Sequence, residues 1–532
     1  MALMHCFSLP TIRVIPMNYG LISRRRFLGS SMVLALADYA SKVWAKPVFS
    51  SSPFTLGVAS GYPEPNGVCL WTRLAPEFLA PAGGMPPEAV AVSFEIADDE
   101  AFKSIVDQGQ TWAEPNFAHS VHLETTKLSP ARDYWYRFHV ADVTSPIGHT
   151  RTAPAAHQTA DKLRFAFASC QQYEQGYYGA YRHMAKEDLD LVIHLGDYIY
   201  ESSWGENKVR SHASPEPITL DDYRARYALY KSDPNLQAAH AAFPWVAVWD
   251  DHEVENDYAD DRSENADDPR WFIHRRAAAY QAWYEHMPAR RTMAPIDAYA
   301  RIYTQLKFGQ LAEINLLDDR QFRSPQPCPK PGRGGSNVVE NCLERLDQKA
   351  TLLGDRQEAW LSTKLASSKG RWNLLAQQTL MSQADSKSGE GQKFYTDGWD
   401  GYPAARDRLL DILQSTKVTN PIVIGGDVHS YWVADLKRDF NRPDSPTIAT
   451  EFCGTSITSK PPAEDMIQTA KSEGPHIKFA TGSHRGYTVM TVTNESLKTD
   501  LRVVANHHDP DTTISTLASF VVFNGKAGAE QS

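Results

Sequence analysis

The chain has 532 residues, 42% hydrophobic and 22% charged, which places it among folded globular proteins of two or three domains and excludes a disordered chain. The formal net charge is −10, although residues 1–45 hold five basic residues and one acid, so the rest is more acidic still and has no electrostatic footprint for nucleic acid or anionic lipid. Six cysteines in so long a chain are no disulfide framework, and no apolar run is long enough to span a bilayer, which predicts a mature protein without a stable membrane anchor.

The chain opens on Ser23-Arg24-Arg25-Arg26-Phe27-Leu28, a short apolar run to Ala37, and Val43-Trp44-Ala45 with small residues suited to a signal peptidase. Charge, apolar run and cleavage site in this order predict that residues 1–45 are a twin-arginine signal peptide, with the twin-arginine translocase as partner during export and a periplasmic or extracellular destination. Residues 51–153 alternate with period two over short runs (68–71, 90–96, 121–124, 134–139), which predicts a small β-sandwich of immunoglobulin or fibronectin-III type. A linker over 152–161 then leads to a second domain, residues 162–525.

There the rhythm changes. An apolar strand at 165–168, a helical stretch at 177–186 and an apolar strand at 191–195 make a βαβ unit. Buried strands follow at 245–249, 314–317, 372–376 and 421–424, with a helix over 355–367 and a hairpin of 487–493 with 497–504 around Asn494-Glu495. Strands mixed with outer helices predict a layered α/β fold. Cys328 and Cys342 flank a loop rich in Pro and Gly and are placed to pair in an oxidising compartment.

The chemistry stands at the ends of the apolar strands. Cys170, Asp197, Asp251-His252-Glu253 and Asp427-Val428-His429 each follow a buried run, and ligands bind at that edge of open α/β sheets. If these strands share one sheet, Cys170, Asp197, Asp251, Asp427 and His429 converge, and carboxylates so gathered repel one another unless cations neutralise them. A metal pair resolves the conflict. Each piece alone has a plainer reading: Asp197 as a turn acid, the acids after Trp249 as a charged turn, His429 as a satisfied buried histidine, Cys170 as a small buried hydrophobe. As a thiolate, Cys170 would select a transition metal over calcium or magnesium.

Phe54-Thr-Leu-Gly-Val-Ala-Ser-Gly61, Leu70-Trp-Thr-Arg73, Phe167-Ala-Ser-Cys-Gln171, Leu195-Gly-Asp-Tyr-Ile-Tyr-Glu201, Trp249-Asp-Asp-His-Glu-Val-Glu-Asn256, Leu317-Asp-Asp-Arg-Gln-Phe-Arg323, Gln377-Gln378, Gly425-Gly-Asp-Val-His-Ser430 and Phe452-Cys-Gly-Thr-Ser-Ile457 stand in the order of the blocks of the PhoD-like alkaline phosphatase and phosphodiesterase family, which nearly the whole mature chain resembles. The resemblance implies an α/β/β/α metallophosphoesterase core holding Fe3+ and Ca2+. By position, Cys170 and Tyr200 would hold iron, Asp197 would bridge the metals, and Asp427 and His429 would complete the cluster. Asp251 would stand for the asparagine of the wider superfamily's block, with His252 poised over the phosphoryl group. Asn256 and Gln378 are softer ligand candidates, and Arg485 is a candidate for a phosphate oxygen, with an ordinary surface ion pair as the equally weighted plainer reading.

The implied reaction is metal-assisted hydrolysis of a small phosphate monoester or diester, with His252 stabilising or protonating the leaving alkoxide. Ser430 and Ser456 lie beside the motifs without a nucleophile elbow or base partner, which argues against a covalent route. Two rivals stay open: a phosphodiesterase specific for nucleotides, phospholipids or wall polymers, and a secreted binding protein stabilised by calcium, which would leave Cys170 and Tyr200 without a role. Residues 512–526 are a candidate cover for the site.

Overall fold

The computed structural model describes Phe49 and residues 51–532; the expected signal peptide lies outside the described residues. Two large sheets organise the chain. In the ten-stranded sheet, Lys162–Ala168, Leu191–His194 and Pro244–Ala247 run parallel at the centre. In the seven-stranded sheet, Ala312–Leu316, Trp372–Ala376, Pro421–Gly425 and Thr447–Cys453 do the same. These strands read as unbroken apolar runs because parallel strands are buried on both faces.

The sheets pack face to face. Phe165, Ile193 and Val246 of one share a single apolar core with Ile314, Leu374 and Ile422 of the other. The alternate residues Leu375 and Val423 point outward, where they meet Leu361 and Leu365 of helix Asp355–Ala366 and Leu409, Leu410 and Leu413 of helix Pro403–Ser415. Helices Leu220–Lys231 and Pro269–His286 bring Tyr223, Tyr227, Tyr280 and Trp283 to the core of the first sheet. The layering is therefore α/β/β/α. One expectation changes: the ligand-bearing strands belong to two sheets, since a run buried on both faces carries no mark of which sheet it joins.

The N-terminal region is all β. Val90–Ala97, Ile105–Ala113 and Asp133–Val140 anchor a five-stranded sheet whose Val92, Ile96, Tyr136 and Phe138 pack on Val58, Val68, Leu70 and Val121. The strands carrying those last four residues extend the ten-stranded sheet, with Ser60 and Gly61 paired in parallel to Pro244 and Trp245. One layer of the sandwich is thus continuous with the central sheet.

At the far end, Arg485–Thr493 and Ser496–Val504 form the expected hairpin. Residues 512–526 do not cover the site: Ile514–Phe523 is a strand paired along Ser496–Val504, where its backbone groups find ladder partners. Cys328 and Cys342 are joined in a disulfide. Among the described residues no helix is long and apolar enough to cross a membrane.

Candidate metal centre

Both sheets end their parallel strands at one place, and the backbone there is unusual. Cys170, Asp197, Asp427 and His429 all have positive φ, at 59°, 56°, 64° and 52°. Left-handed backbone costs a non-glycine residue on the order of 1 kcal/mol or more, and such residues cluster at functional sites. All four stand just past the ends of Lys162–Ala168, Leu191–His194 and Pro421–Gly425. Glycines make the approach possible: at Gly196, with φ 102°, and at Gly426, a Cβ would run into the side chains of Asp250 and Ser169.

The turns bring together donor atoms from distant parts of the chain. Ligand atoms of Cys170, Asp197 and His429 lie within 4.8 Å of one another, as do those of Asp197, Asp251 and His252, those of Asp197, Asp250, Asp251 and Asp427, and those of Asp251, Asp257 and Asp397. Tyr200 joins the first group by donating its phenol to Asp197 Oδ2 at 2.8 Å, with His429 Nε2 at 3.1 Å from the Tyr200 hydroxyl oxygen. His429 Nδ1 bonds the Lys460 carbonyl at 2.7 Å, which leaves Nε2 facing inward. Burial drives the His429 pKa down to about 3, so the ring is neutral and free to ligate.

The electrostatics are those of an over-filled acidic site. Burial, followed by repulsion from Asp251, Glu253 and Asp427, raises the Asp197 pKa well above the carboxylate range against the pull of His252. Burial raises Asp427 to about 6 and Asp257 to about 7. Asp251 goes the other way: Arg320 and His252 overcome its burial and hold it well below the usual range. Burial also pushes the Cys170 thiol and the Tyr200 phenol far up. Asp197 Oδ1 and Asp250 Oδ2 are buried without a hydrogen-bond partner. Orphaned carboxylate oxygens beside a thiol, a phenol and an imidazole make a donor set that fits a transition metal next to a harder, oxygen-seeking cation.

Two residues with no assigned role organise this site. Arg320, only 1% exposed, sits with its guanidinium among the acids: Nε donates to Asp250, Nη1 lies 2.8 Å from Asp397, and Nη2 lies 3.6 Å from Asp251 and 3.9 Å from Asp427. Glu201 accepts from His252 Nδ1 at 2.7 Å and from the Asn256 backbone N–H at 3.1 Å. Although burial opposes the charge, the carboxylates of Glu201, Asp197 and Asp251 raise the His252 pKa well above its ordinary value. Both residues stood inside quoted motifs, and only the fold reveals their partners. Asp257 and Asp397 come from irregular segments and had no sequence signal.

The softer candidates fall out differently. Gln378 is fully engaged inside the protein, donating to the carbonyls of Trp249 and Leu317 and accepting from the Asp319 amide, so it is no free ligand here. Arg485 is neither a surface ion pair nor free for phosphate: it is buried and donates to the carbonyls of His429 and Gly482 and to Ser456 Oγ, bracing the loop that presents His429. Asn256 lines the cavity and donates its amide to Glu264. Ser430 and Ser456 donate to the carbonyls of Val428 and Ser459, and neither has a base.

A cavity of about 820 Å³ opens over the acids, lined by Asp197, Asp251, His252, Asp427 and His429. Residues 165–501 match the PhoD-like phosphatase family, and residues 39–154 match the N-terminal domain of PhoD-like phosphatases. Alkaline phosphatase D of Bacillus subtilis (strain 168) is 46% identical over 524 residues, spanning 95% of this chain and 88% of its own length. A solved structure of PhoD is 47% identical, covers 91% of this chain with 93% of its own, and superposes with a TM-score of 0.86. With sequence blocks, sheet layering and overall structure in agreement along its length, the chain belongs to the PhoD-like phosphatase family.

Proposed function

We propose that this protein is an exported, metal-dependent hydrolase that transfers the phosphoryl group of a phosphate monoester or diester to water. The observation that carries the reading is that three donor groups share Asp197, the arrangement a bridging carboxylate needs between two cations. Cys170, Tyr200 and His429 would hold Fe3+ through thiolate, phenolate and imidazole donors, while Asp251 and Asp427 would hold Ca2+ through carboxylate oxygen. When bound, such cations supply Lewis acidity toward the phosphoryl oxygens and an acidified water near neutral pH.

The chain's own residues do the rest. Cys170 and Tyr200 must give up their protons to ligate, so metal affinity rises with pH. Glu201 holds His252 by Nδ1, and this pairing keeps the ring protonated where it lines the cavity, so that Nε2 is the nitrogen able to give a proton to the departing alkoxide. Since Ser430 and Ser456 have their hydroxyls committed to carbonyls, attack by water on phosphorus needs no covalent relay. The basic, apolar leader and the Cys328–Cys342 disulfide support export by the twin-arginine route.

Turnover of one chromogenic monoester and one chromogenic diester at about pH 8, abolished by a chelator and restored by iron with calcium, is the expected result. Metal binding without turnover on either ester would reject the hydrolase reading in favour of a binding protein.

Glu201→Gln is expected to lower kcat about 10- to 100-fold with little change in KM, and to do so more severely for alkyl esters than for 4-nitrophenyl esters, whose leaving group needs no proton. Equal losses on both ester types would assign Glu201 to structure alone.

A further inference from the structure

The turn that carries Asp197 hangs between two neighbouring chain segments. Strand Leu191–His194 runs parallel to Lys162–Ala168 on one side and to Pro244–Ala247 on the other. On the first side the carbonyls of Gly196 and Asp197 accept the N–H groups of Cys170 and Gln171, at 3.2 and 3.1 Å. On the second, the Val248 N–H reaches the His194 carbonyl at 3.0 Å, and soon after it the chain leaves the ladder for a turn closed by Val254 and Glu255 on the Asp251 carbonyl. The N–H groups of Asp197 and Tyr198 are therefore left facing a side where no strand continues.

Glu253 takes the place of that strand. Its Oε1 accepts from the Tyr198 N–H at 2.5 Å, and its Oε2 accepts from the Asp197 N–H at 3.0 Å and from the Asp250 N–H at 2.7 Å. Glu253 is 1% exposed, and all three bonds come from main-chain N–H groups. Buried N–H groups need partners, and an anionic oxygen makes a stronger one than a neutral carbonyl.

The reach of this carboxylate is what bears on the centre. Asp197 and Asp250 stand on different turns, and Asp251 follows Asp250 directly. Gly196 lets the turns close, since a Cβ there would lie 2.4 Å from Asp250 Cβ. Asp197 keeps its left-handed φ of 56°, a conformation that persists only where the surroundings over-determine it. Gln171 fixes its carbonyl and Glu253 its N–H, which holds its carboxylate among the donor atoms of Cys170, Asp251 and His429.

We infer that Glu253 is a positioning residue of the metal centre: by accepting the N–H groups of Asp197, Tyr198 and Asp250, it locks the turn of the proposed bridging carboxylate to the turn of Asp251 and so sets metal affinity without serving as a ligand. The inference rests on the metal-dependent reading of the same site.

The test compares Glu253→Gln, Glu253→Asp and Glu313→Gln with the parent in the full, metal-loaded chain. Glutamine keeps the reach but sets an NH2 group against a main-chain N–H; aspartate keeps the charge but is one methylene short of spanning both turns. Glu313 controls for the loss of a buried carboxylate, since it accepts the Lys369 N–H at 3.1 Å near the start of strand Ala312–Leu316, away from the strand ends that carry the site. Both Glu253 variants are expected to release iron and calcium at EDTA concentrations about 10- to 100-fold below those the parent needs, the range for groups that orient metal ligands, and Glu313→Gln to match the parent. In the chelated proteins, the amides of residues 196–198 are expected to exchange hydrogen about 10-fold faster in Glu253→Gln, with those of residues 426–429 unchanged.

Metal retention equal to the parent's in Glu253→Gln overturns the proposal, and should that variant not fold, Glu253→Asp decides by the same criterion. Full retention by Glu253→Asp beside a loss in Glu253→Gln overturns it too, by assigning the effect to charge. So does an equal loss in Glu313→Gln, which would reduce the effect to stability. A parent that binds metal and turns over no ester would remove the hydrolase reading and leave this one testable by retention, whereas an active parent with unchanged retention in the variants would remove this one alone.

Discussion

Asp197→Asn is expected to strip the protein of metal and to lower kcat/KM by more than about 100-fold, while leaving the metal-free fold at least as stable as the parent. An amide can offer one neutral oxygen but cannot bridge two cations, and Asp197 is the member common to three of the four donor groups. The stability half follows from linkage. Burial and the neighbouring carboxylates raise the pKa of Asp197 well above the value it has unfolded, so the folded chain holds a proton that the unfolded chain releases near about pH 4. Such a group favours the fold below its unfolded pKa, and the advantage is lost as pH rises through its folded value. The same holds for Asp427 at about 6 and Asp257 at about 7. The metal-free parent should therefore lose stability between about pH 5 and about pH 8, and the Asn variant should lose less. Elemental analysis with denaturant unfolding of the chelated proteins checks both halves. A variant that keeps its metals would remove Asp197 from the bridging role.

Arg320→Met is expected to cost about 3–5 kcal/mol of stability, the range for removing one partner from a buried charge network. The guanidinium lies among Asp250, Asp251 and Asp427, which follow strands of the two sheets, and Asp397 from an irregular segment. Methionine fills part of the volume and answers none of the charge. Asp250 and Asp427, already raised by burial against the pull of Arg320, would then rise further in pKa, and Asp251 would lose the main pull that holds it low, so the deficit should shrink toward about pH 5, where protons replace the missing cation. Arg320→Lys, which restores charge without the planar fork, should recover part of the loss. Denaturant midpoints of the chelated proteins at both pH values measure this. A loss under about 1 kcal/mol would show that protons already neutralise the cluster and that the guanidinium is dispensable.

Much of the architecture was legible because of how parallel strands are made. Residues 165–168, 191–194, 372–376 and 421–425 are buried on both faces and read as unbroken apolar runs, and the polar residue after each run marks the sheet edge. That rule, with the family resemblance, singled out Cys170, Asp197, Asp251, Asp427 and His429, and the fold brings them together. Which sheet each strand joins was not legible, since pairing is a long-range choice. Nor were Tyr431–Lys437 and Thr447–Cys453 picked out as strands, although both are almost wholly buried. The polar members divided by what the backbone demanded of them. Gln378 and Arg485 look like ligands in a list of motifs, yet both are consumed in satisfying carbonyls. Arg320 stood in a quoted block without a role, and the fold places its guanidinium among the acids.

Because the two sheets contribute the candidate centre jointly, neither sheet alone holds all of its donors. Cys170, Asp197 and Asp251 follow strands of one sheet and Asp427 and His429 follow a strand of the other, so the donor atoms become neighbours only when the sheets have docked. On the proposed reading, metal capture would be a late event of assembly, and the seated ions would act as a rivet across the seam, tying folding of the scaffold and readiness for chemistry into one step.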